Sequence, residues 1–300
     1  MWFKNLKLYS LTQSIDLADE DLQQKLEEFA FRPCGSQEIT TMGWSSPFNQ
    51  GEALCHATAG RIWITLKKQE RLLPAVVVNA ELAEKVALIE AETGSPVGKK
   101  AQQDLKQEII HRLLPQAFTK NTYTHGFIAS ADNLVVVDSS ADGKAEAFLA
   151  MLRKAIGSLP VVPLSKQSVQ ADLTSWLKDD SVPNDFVVLE EAEVRSPDED
   201  GAIVRCKNQD LSSDEILNHL QAGKLVQKLA VEWDETFSAI LQEDLTIKRL
   251  KFSDVMREQN DDIPKDQILA TMDANFALMS GEVVRFAKRL TEVFNLQEQD

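Results

Sequence analysis

Apolar and polar residues alternate along several short stretches of the chain, and this alternation predicts β-strands. In the first half, the predicted strands cover residues 2–11, 61–66, 127–130 and 134–138. In the second half, they cover residues 186–194, 202–207, 224–233, 236–241 and 245–252. Because most of these strands follow one another through short turns, we expect mixed but largely antiparallel sheets, with the last three strands forming a meander.

Apolar residues at helical spacing predict helices between the strands. These helices cover residues 20–30, 75–92, 99–114, 143–156, 171–178, 213–221 and 280–294, with one more just before the last. Only the breaker 93–98 separates the second helix from the third, so we expect this pair to form an antiparallel hairpin that projects as an arm. The segment 31–47 contains two glycines and two prolines and is expected to be a loop. This mixture of strands and packed helices predicts the α+β class.

A proline-containing connector over residues 157–165 separates two halves of similar length. Gly157 can end the preceding helix in the left-handed conformation, and Pro160 and Pro163 keep the connector extended. The expected organisation is an N-terminal α+β half over 1–157, with the helical arm at about 75–115 and a finger hairpin at about 118–138, then a C-terminal α+β half over 158–300 with the meander and the terminal helices.

Composition narrows the classes of function. A chain of 300 residues with 43% hydrophobic content can bury a sizeable core, and it contains no apolar run long enough to predict a membrane span. The N-terminus lacks the features of a signal peptide, and the widely separated Cys34, Cys55 and Cys206 are typical of reduced thiols. We therefore expect a cytoplasmic protein with no metal, no cofactor and no membrane partner.

The formal net charge of −15 argues against nucleic acid, since a polyanion is attracted by positive potential. The charge is nevertheless uneven along the chain. Residues 190–200 contain six acids against Arg195, whereas residues 99–125 contain five bases against two acids. A basic face on an acidic protein is therefore compatible with the sequence.

No arrangement of side chains in the sequence indicates a catalytic site. The four histidines lie in separate predicted elements, and His56 would point away from its neighbour Cys55 if both lie in a strand. The sequence contains no nucleophile elbow, no phosphate-binding loop and no dinucleotide fingerprint. Carboxylate pairs such as Asp261-Asp262 carry little information in so acidic a chain. We expect a protein that is not an enzyme.

Basic residues within the predicted strands are the remaining candidates. In residues 248–252, alternation predicts Lys248 on one face with Leu250 and Phe252, and Arg249 with Lys251 on the other. By the same reasoning, Lys224 shares a face with Lys228, and Lys207 shares one with Gln209. Each cluster is either an ordinary solvated face or part of a continuous basic patch. Such a patch would bind phosphates without reading bases, and no recognition helix predicts sequence-specific binding.

Seven short motifs occur in order along most of the chain. They are Trp2-Phe-Lys-Asn-Leu, Phe31-Arg-Pro-Cys-Gly-Ser-Gln, Met42-Gly-Trp, His111-Arg-Leu-Leu-Pro-Gln-Ala-Phe, Leu152-Arg-Lys-Ala-Ile-Gly-Ser-Leu-Pro-Val-Val-Pro-Leu-Ser, Arg205-Cys-Lys-Asn-Gln-Asp-Leu and Lys248-Arg-Leu-Lys-Phe. Together these motifs resemble those of the RdgC family of bacterial recombination-associated proteins.

The resemblance implies a homodimer that closes into a ring around double-stranded DNA without sequence preference. It also implies a nucleoid-associated protein that acts around replication and restrains the RecA recombinase, a further expected partner, by occupying DNA. Phe118 matches an aromatic residue on the family's projecting finger, and Gln209 matches a glutamine at the gate of the ring. Asn208 stands where the family commonly has a lysine, which weakens the expected contact at the gate.

The strand faces, read together with the resemblance, predict the residues that contact DNA. They are Lys120, Arg153, Lys154, Lys207, Gln209, Lys224, Lys228, Lys248, Arg249 and Lys251, with Phe118, Asn208 and Gln209 at the dimer contact or finger. The alternative is an acidic protein-interaction module that inhibits a recombinase by direct contact, with DNA binding incidental. The two hypotheses differ in the salt dependence that they predict for DNA binding.

Overall fold

The computed structural model describes residues 2–15, 19–198, 201–264 and 266–296, and it has the expected α+β class. Its strands are β1 (Lys7–Leu11), β2 (Thr40–Ser45), β3 (Cys55–Thr58), β4 (Arg61–Arg71), β5 (Thr119–Ala129), β6 (Leu134–Val137), β7 (Val161–Pro163), β8 (Phe186–Arg195), β9 (Ile203–Lys207), β10 (Leu225–Trp233), β11 (Phe237–Gln242) and β12 (Ile247–Phe252). Residues 199 and 200 of the acidic stretch lie outside the described residues.

Eight α-helices lie within the described ranges. They are α1 (Asp19–Glu27), α2 (Ala75–Thr93), α3 (Lys99–Leu113), α4 (Asp142–Ile156), α5 (Gln170–Lys178), α6 (Asp214–Gln221), α7 (Asp254–Glu258) and α8 (Ile268–Val293). In the same ranges, no helix is both long and apolar enough to cross a membrane.

Contacts within the chain group it into two compact units, each assembled from separate segments. Unit 1 contains residues 1–28, 46–65 and 124–300, and unit 2 contains residues 29–45 and 66–123. The long strands β4 and β5 each run through both units. This grouping interleaves segments of the chain, whereas the expected division near residue 157 separates consecutive halves, and that division stays a prediction.

Unit 1 contains a five-stranded antiparallel sheet in the order β12-β11-β10-β8-β9. The predicted meander is confirmed, since β10 pairs with β11 and β11 pairs with β12 through short turns. Strands β5, β6, β1 and β7 pair in that order in a second sheet, again antiparallel, and β3 pairs with β4.

The core of unit 1 is rich in aromatic side chains and is closed by α8. Phe276 of α8 stacks on Trp63 with ring centroids 5.0 Å apart, and Phe286 packs against Trp233 at 4.9 Å. Because burying one such side chain contributes roughly 1.5–3 kcal/mol, these contacts fix the helix strongly. The predicted last helix over 280–294 is too short: α8 begins at Ile268, where the apolar stripe continues towards the N-terminus through Phe276 and Met279.

Charged groups fix the outer side of α8. Arg289 donates to both carboxylate oxygens of Asp185 at 2.8 Å, and the indole nitrogen of Trp233 donates to the same carboxylate at 3.0 Å. The hydrogen bond from Arg289 lowers the pKa of Asp185 below its ordinary value. The guanidinium of Arg285 lies 4.3 Å from the centre of the Trp233 ring, an arrangement that favours cation–π attraction.

Unit 2 contains the predicted helical hairpin. Lys85 of α2 pairs with Glu108 of α3 at 2.8 Å, and Glu81 pairs with Arg112. The later residue of α2 pairs with the earlier residue of α3, so the two helices run antiparallel. Gly94 ends α2 in the left-handed conformation with φ of 65°, as its place in the breaker predicts.

The segment predicted as a loop over 31–47 contains strand β2, so that prediction is wrong in part. Gly43 sits inside this strand, and a side chain there would meet the backbone of Phe31 at 2.6 Å. Two backbone hydrogen bonds join these segments, from Phe31 to Trp44 at 2.8 Å and from Trp44 to Phe29 at 2.9 Å. Gly43 permits a close approach of two backbones here. Glycine is also typical of turns, which explains why this strand was predicted as a loop.

The predicted first strand is also too long, because only Lys7–Leu11 pairs as a strand, with β6 and β7. Residues 2–5 instead use their polar backbone groups elsewhere. Asp138 accepts hydrogen bonds from the amides of Lys4 and Asn5 at 3.1 and 2.9 Å, and the carbonyl of Lys4 accepts from Leu250 at 2.8 Å. The alternation in this segment reflects burial of Phe3 in the core rather than sheet pairing.

Gly126 of β5 provides a test of how tightly the core is packed. A methyl group there would lie 2.5 Å from the Phe148 ring and 2.7 Å from the carbonyl oxygen of Val136. We expect Gly126→Ala to lower the free energy of unfolding by about 1–3 kcal/mol, as overpacking does. The matched control is Gly143→Ala on α4, where the added methyl meets nothing within 4 Å. Chemical denaturation of both variants checks this, and equal stabilities would contradict the packing described.

Candidate nucleic-acid interface

The five-stranded sheet has one face buried in the core and one face turned outward. Strands β8, β9 and β10 alternate so that Val194, Cys206 and Leu229 are buried. Their neighbours along each strand therefore point outward. Strands β9, β10 and β12 contribute six bases to the resulting surface, which we call the outward sheet face: Arg205, Lys207, Lys228, Lys248, Arg249 and Lys251.

A β-bulge in β12 changes the predicted placement of Lys248. Ser238 pairs with Lys251 and Ile240 pairs with Lys248, so β12 contains one more residue than β11 over this stretch. Arg249 occupies the extra position with φ of 52°. The bulge restarts the alternation, so Lys248 points outward with Lys251 and not inward with Leu250. The predicted face of Lys248 is therefore wrong, while Arg249 and Lys251 do share a side.

Lys224 does not lie on the sheet, because β10 begins only at Leu225. Its ammonium group lies 3.4 Å from Nδ1 of His219 at the end of α6. A register shift between Val226 and Lys228 also interrupts the alternation of side chains, so a spacing of four residues no longer places Lys224 and Lys228 on the same face. The prediction that these two lysines share a strand face is wrong for this reason.

Gln209 is also separated from the outward sheet face. Strand β9 ends at Lys207, and Asn208 turns the chain with φ of 51°. The Gln209 side chain then donates to Glu215 in the first turn of α6 at 3.0 Å. The expectation that Gln209 shares a face with Lys207 is therefore wrong, although Asn208 is exposed beside the basic strand.

Two glutamates of β8 lie among the bases of the outward sheet face. Glu193 is directly opposite Lys228 on one side and Arg205 on the other, and it pairs with them at 2.8 and 2.7 Å. Burial raises the pKa of Glu193, but the hydrogen bonds from Lys228 and Arg205 together lower it by more than burial raises it, so the pKa lies below its ordinary value. Glu193 is therefore ionised at neutral pH and neutralises part of the basic surface.

Glu191 forms the second ion pair on this face. Its carboxylate lies 2.5 Å from the guanidinium of Arg249. Strands β10 and β11 separate these two residues in the sheet, so the pair extends across Ala230 and Ile240, which are almost fully buried. Among the described residues, Lys207, Lys248 and Lys251 make no ion pair, and we call them the unpaired lysines.

The other predicted DNA contacts lie away from this sheet. Arg153 and Lys154 are exposed in the last turn of α4, where cations complement the helix dipole, and Arg153 donates to the carbonyl of Leu159 at 3.4 Å. Lys120 is exposed near the start of β5 in unit 2. The structure thus brings together Lys207, Lys228, Lys248, Arg249 and Lys251, and it does not bring Lys224 or Gln209 onto their face.

Sequence reasoning missed three residues of this surface, namely Arg205, Glu191 and Glu193. A signal for Arg205 was present, since it precedes Lys207 by two residues in a predicted strand. The two glutamates were grouped with an acidic stretch, and only the register between β8, β9 and β10 shows that they face bases.

Phe118 is an exposed apolar residue of unit 2. Its side chain is 86% exposed, and its carbonyl accepts a hydrogen bond from Leu72 at 2.7 Å. The neighbouring Arg71 amide donates to the carbonyl of Ile39 at 2.8 Å, and the side chains of Ile39 and Leu72 are exposed as well.

Candidate chemistry elsewhere in the chain is limited. All three cysteines are free thiols. Over the ranges that the structure describes, no group of three or more His, Cys, Asp or Glu side chains could hold a metal ion. His125 is buried against Thr65, with Nδ1 2.8 Å from the hydroxyl oxygen, and burial lowers its pKa to about 4.

Comparison with known proteins agrees with the motifs. The family model described as "Putative exonuclease, RdgC" matches residues 1–297. A "Recombination-associated protein RdgC" from Pseudoalteromonas atlantica is 75% identical over 298 residues, covering 99% of each chain. Proteins of the same name from Aeromonas hydrophila and Serratia proteamaculans are 48% and 42% identical over 301 residues, covering 100% of this chain and 99% of theirs.

The match extends over nearly the whole sequence, and the fold is of the α+β class. The chain belongs to the RdgC family of recombination-associated proteins.

Proposed function

We propose that this protein binds double-stranded DNA without sequence preference through the outward sheet face. The observation that carries the proposal is the gathering of six bases on one exposed surface of a protein with a net charge of −15. Lysine and arginine on strands bind phosphates, which are the same at every base pair. Family membership supports this interpretation, since the relatives are named for recombination, a process of DNA.

We further propose that two copies close into a ring around the duplex. A ring explains how an acidic protein can bind a polyanion, because its bases can line the hole while its acids face solvent. The exposed aromatic side chain of Phe118 supports a protein contact, and we assign that contact to the second copy. Asn208 and Gln209 are the proposed gate residues, with Asn208 lacking the charge common in the family.

In this proposal the protein restrains RecA by occupying duplex DNA, and it works in the cytoplasm at the nucleoid and around replication. It acts without catalysis and without a cofactor. The alternative is direct contact with a recombinase, for which the exposed Phe118 is equally available. The two mechanisms separate when DNA binding is weakened, because direct contact leaves the inhibition intact.

Reversing the charge of two unpaired lysines tests the DNA contact. We expect the double variant Lys248→Glu/Lys251→Glu to lower affinity for duplexes of unrelated sequence at least about tenfold. The salt dependence should become shallower, with the magnitude of the slope of log K against log salt smaller by roughly 2 per subunit, since each lost phosphate contact changes it by about 0.9. Fluorescence anisotropy across a salt series measures both quantities.

The matched control is Lys144→Glu/Lys178→Glu, which makes the same charge change at exposed helix positions outside the sheet. It should retain most of the affinity and all of the slope. Equal losses in the two double variants would show that overall charge, rather than the outward sheet face, governs binding. Lost DNA binding with RecA inhibition intact would favour the direct-contact mechanism.

The family description as an exonuclease is tested by incubation with DNA. We expect linear duplexes labelled at either end to remain at full length in the presence of Mg²⁺ or Mn²⁺, because the proposed interface offers bases and paired glutamates but no acidic cluster suited to a metal. A denaturing gel over several hours measures this. An activity that progressively shortens the DNA from one end, and that co-purifies with the protein through two columns, would contradict the proposal.

Replacing Phe118 tests the contact between copies. We expect Phe118→Ala to shift the dimer towards monomer in sedimentation velocity and to weaken retention on closed circular DNA, with the melting temperature unchanged because the side chain is exposed. Leu88→Ala, an exposed apolar position on α2, is the control and should leave assembly intact. Unchanged mass and unchanged retention in the Phe118 variant would remove this residue from the interface.

A further inference from the structure

We infer that Glu193 and Glu191 are built-in competitors of DNA phosphates on the outward sheet face and that they weaken the grip on the duplex. The inference rests on the proposed function, since it concerns the same surface. It assigns a role to two acids within a site that would otherwise be expected to contain bases alone.

The geometry of Glu193 carries the first step. Its carboxylate uses one oxygen for Lys228 at 2.8 Å and the other for Arg205 at 2.7 Å. The three residues lie in direct register across β10, β8 and β9, so the backbone ladder fixes their spacing. The Glu193 side chain is only 16% exposed, which places its charge among its partners rather than in solvent.

Glu191 acts in the same way on a third base. The ion pair between Glu191 and Arg249 spans the sheet from β8 to β12. The bulge at Arg249 directs the Arg249 side chain towards the outward face. Three of the six bases that β9, β10 and β12 contribute to the face are therefore already paired with carboxylates. The remaining three, Lys207, Lys248 and Lys251, are available to phosphates.

A paired base contributes differently to DNA binding from an unpaired one. An unpaired lysine neutralises a phosphate and releases a condensed counterion, which produces the salt dependence of binding. A base held by a carboxylate must exchange one anion for another, and the displaced carboxylate then lies beside the phosphate as a like charge. The unpaired lysines therefore set the salt slope, and the glutamates reduce the affinity. A weak grip of this kind allows a duplex to move relative to the surface.

Neutral substitutions of the glutamates test this role. E193Q keeps the shape of the side chain and releases Lys228 and Arg205 together. We expect it to raise duplex affinity at least about tenfold near 0.1 M salt and to steepen the slope by roughly 2 per subunit. E191Q, which releases Arg249 alone, should give about half of that increase in slope.

The matched control is E232Q on β10. Glu232 lies on the same face, opposite Ser238, and makes no ion pair with any residue that the structure describes. E232Q removes one negative charge without releasing a base, so we expect an affinity change below about threefold and an unchanged slope. Circular dichroism melting of all three variants verifies that they are folded.

The outcomes separate the two levels of the proposal. A steeper slope in E193Q and E191Q but not in E232Q supports the competition. If the wild-type protein binds duplexes while E193Q behaves like E232Q, the competition is overturned and the DNA-binding function stands. If neither the wild-type protein nor E193Q binds a duplex at low salt, the proposed function itself is overturned.

Discussion

The antiparallel register of the five-stranded sheet is the constraint on which the candidate interface depends. One face must be apolar because it packs against the core, so every base in these strands is forced to the other face. The same register sets Glu193 between Lys228 and Arg205. The bulge at Arg249 then adjusts the pattern locally and turns Lys248 outward. Folding and surface charge are thus two results of one hydrogen-bonded ladder.

Charge on this protein is organised by position rather than by amount. The chain is strongly acidic as a whole, yet its five-stranded sheet presents more bases than acids on the outward face. Ion pairs within that sheet are short and partly buried, where attraction is stronger than in bulk water. The outward sheet face is therefore a surface of moderate positive charge, because Glu191 and Glu193 on the same face neutralise some of its bases. The net charge of the whole chain does not describe the charge of this face.

Much of the fold was predictable because periodicity is a local property. The helical hairpin of α2 and α3, the meander of β10 to β12 and helix α4 follow from spacing and from breakers at Gly94 and Gly157. The strand β2 was not predictable, since its glycine permits a close approach to the backbone of Phe31 rather than a turn. The start of α8 at Ile268 likewise depends on partners such as Trp63, more than 200 residues away.

The candidate site was predicted less completely for a related reason. A strand-face argument assumes regular alternation, and single inserted residues at Gln227 and Arg249 defeat it without leaving a mark in composition. Five of the predicted bases nevertheless share the outward sheet face, and Lys248 does so only because of the bulge at Arg249. The paired state of three bases depends on which strand lies beside β8. The order of strands in the sheet is a property of the topology, and it cannot be read directly from the sequence.

The interleaved construction of the two units has a consequence for how the chain reaches its native state. Unit 2 contains no residue beyond 123, so all of it has been synthesised before half of the chain is made. Unit 1 needs Phe276 to cover Trp63 and so waits for α8, the last helix of the described residues. Contacts between such distant residues slow folding, since a long loop must close before they form. During synthesis, Trp63 therefore lacks its stacking partner Phe276 for most of the time that translation takes.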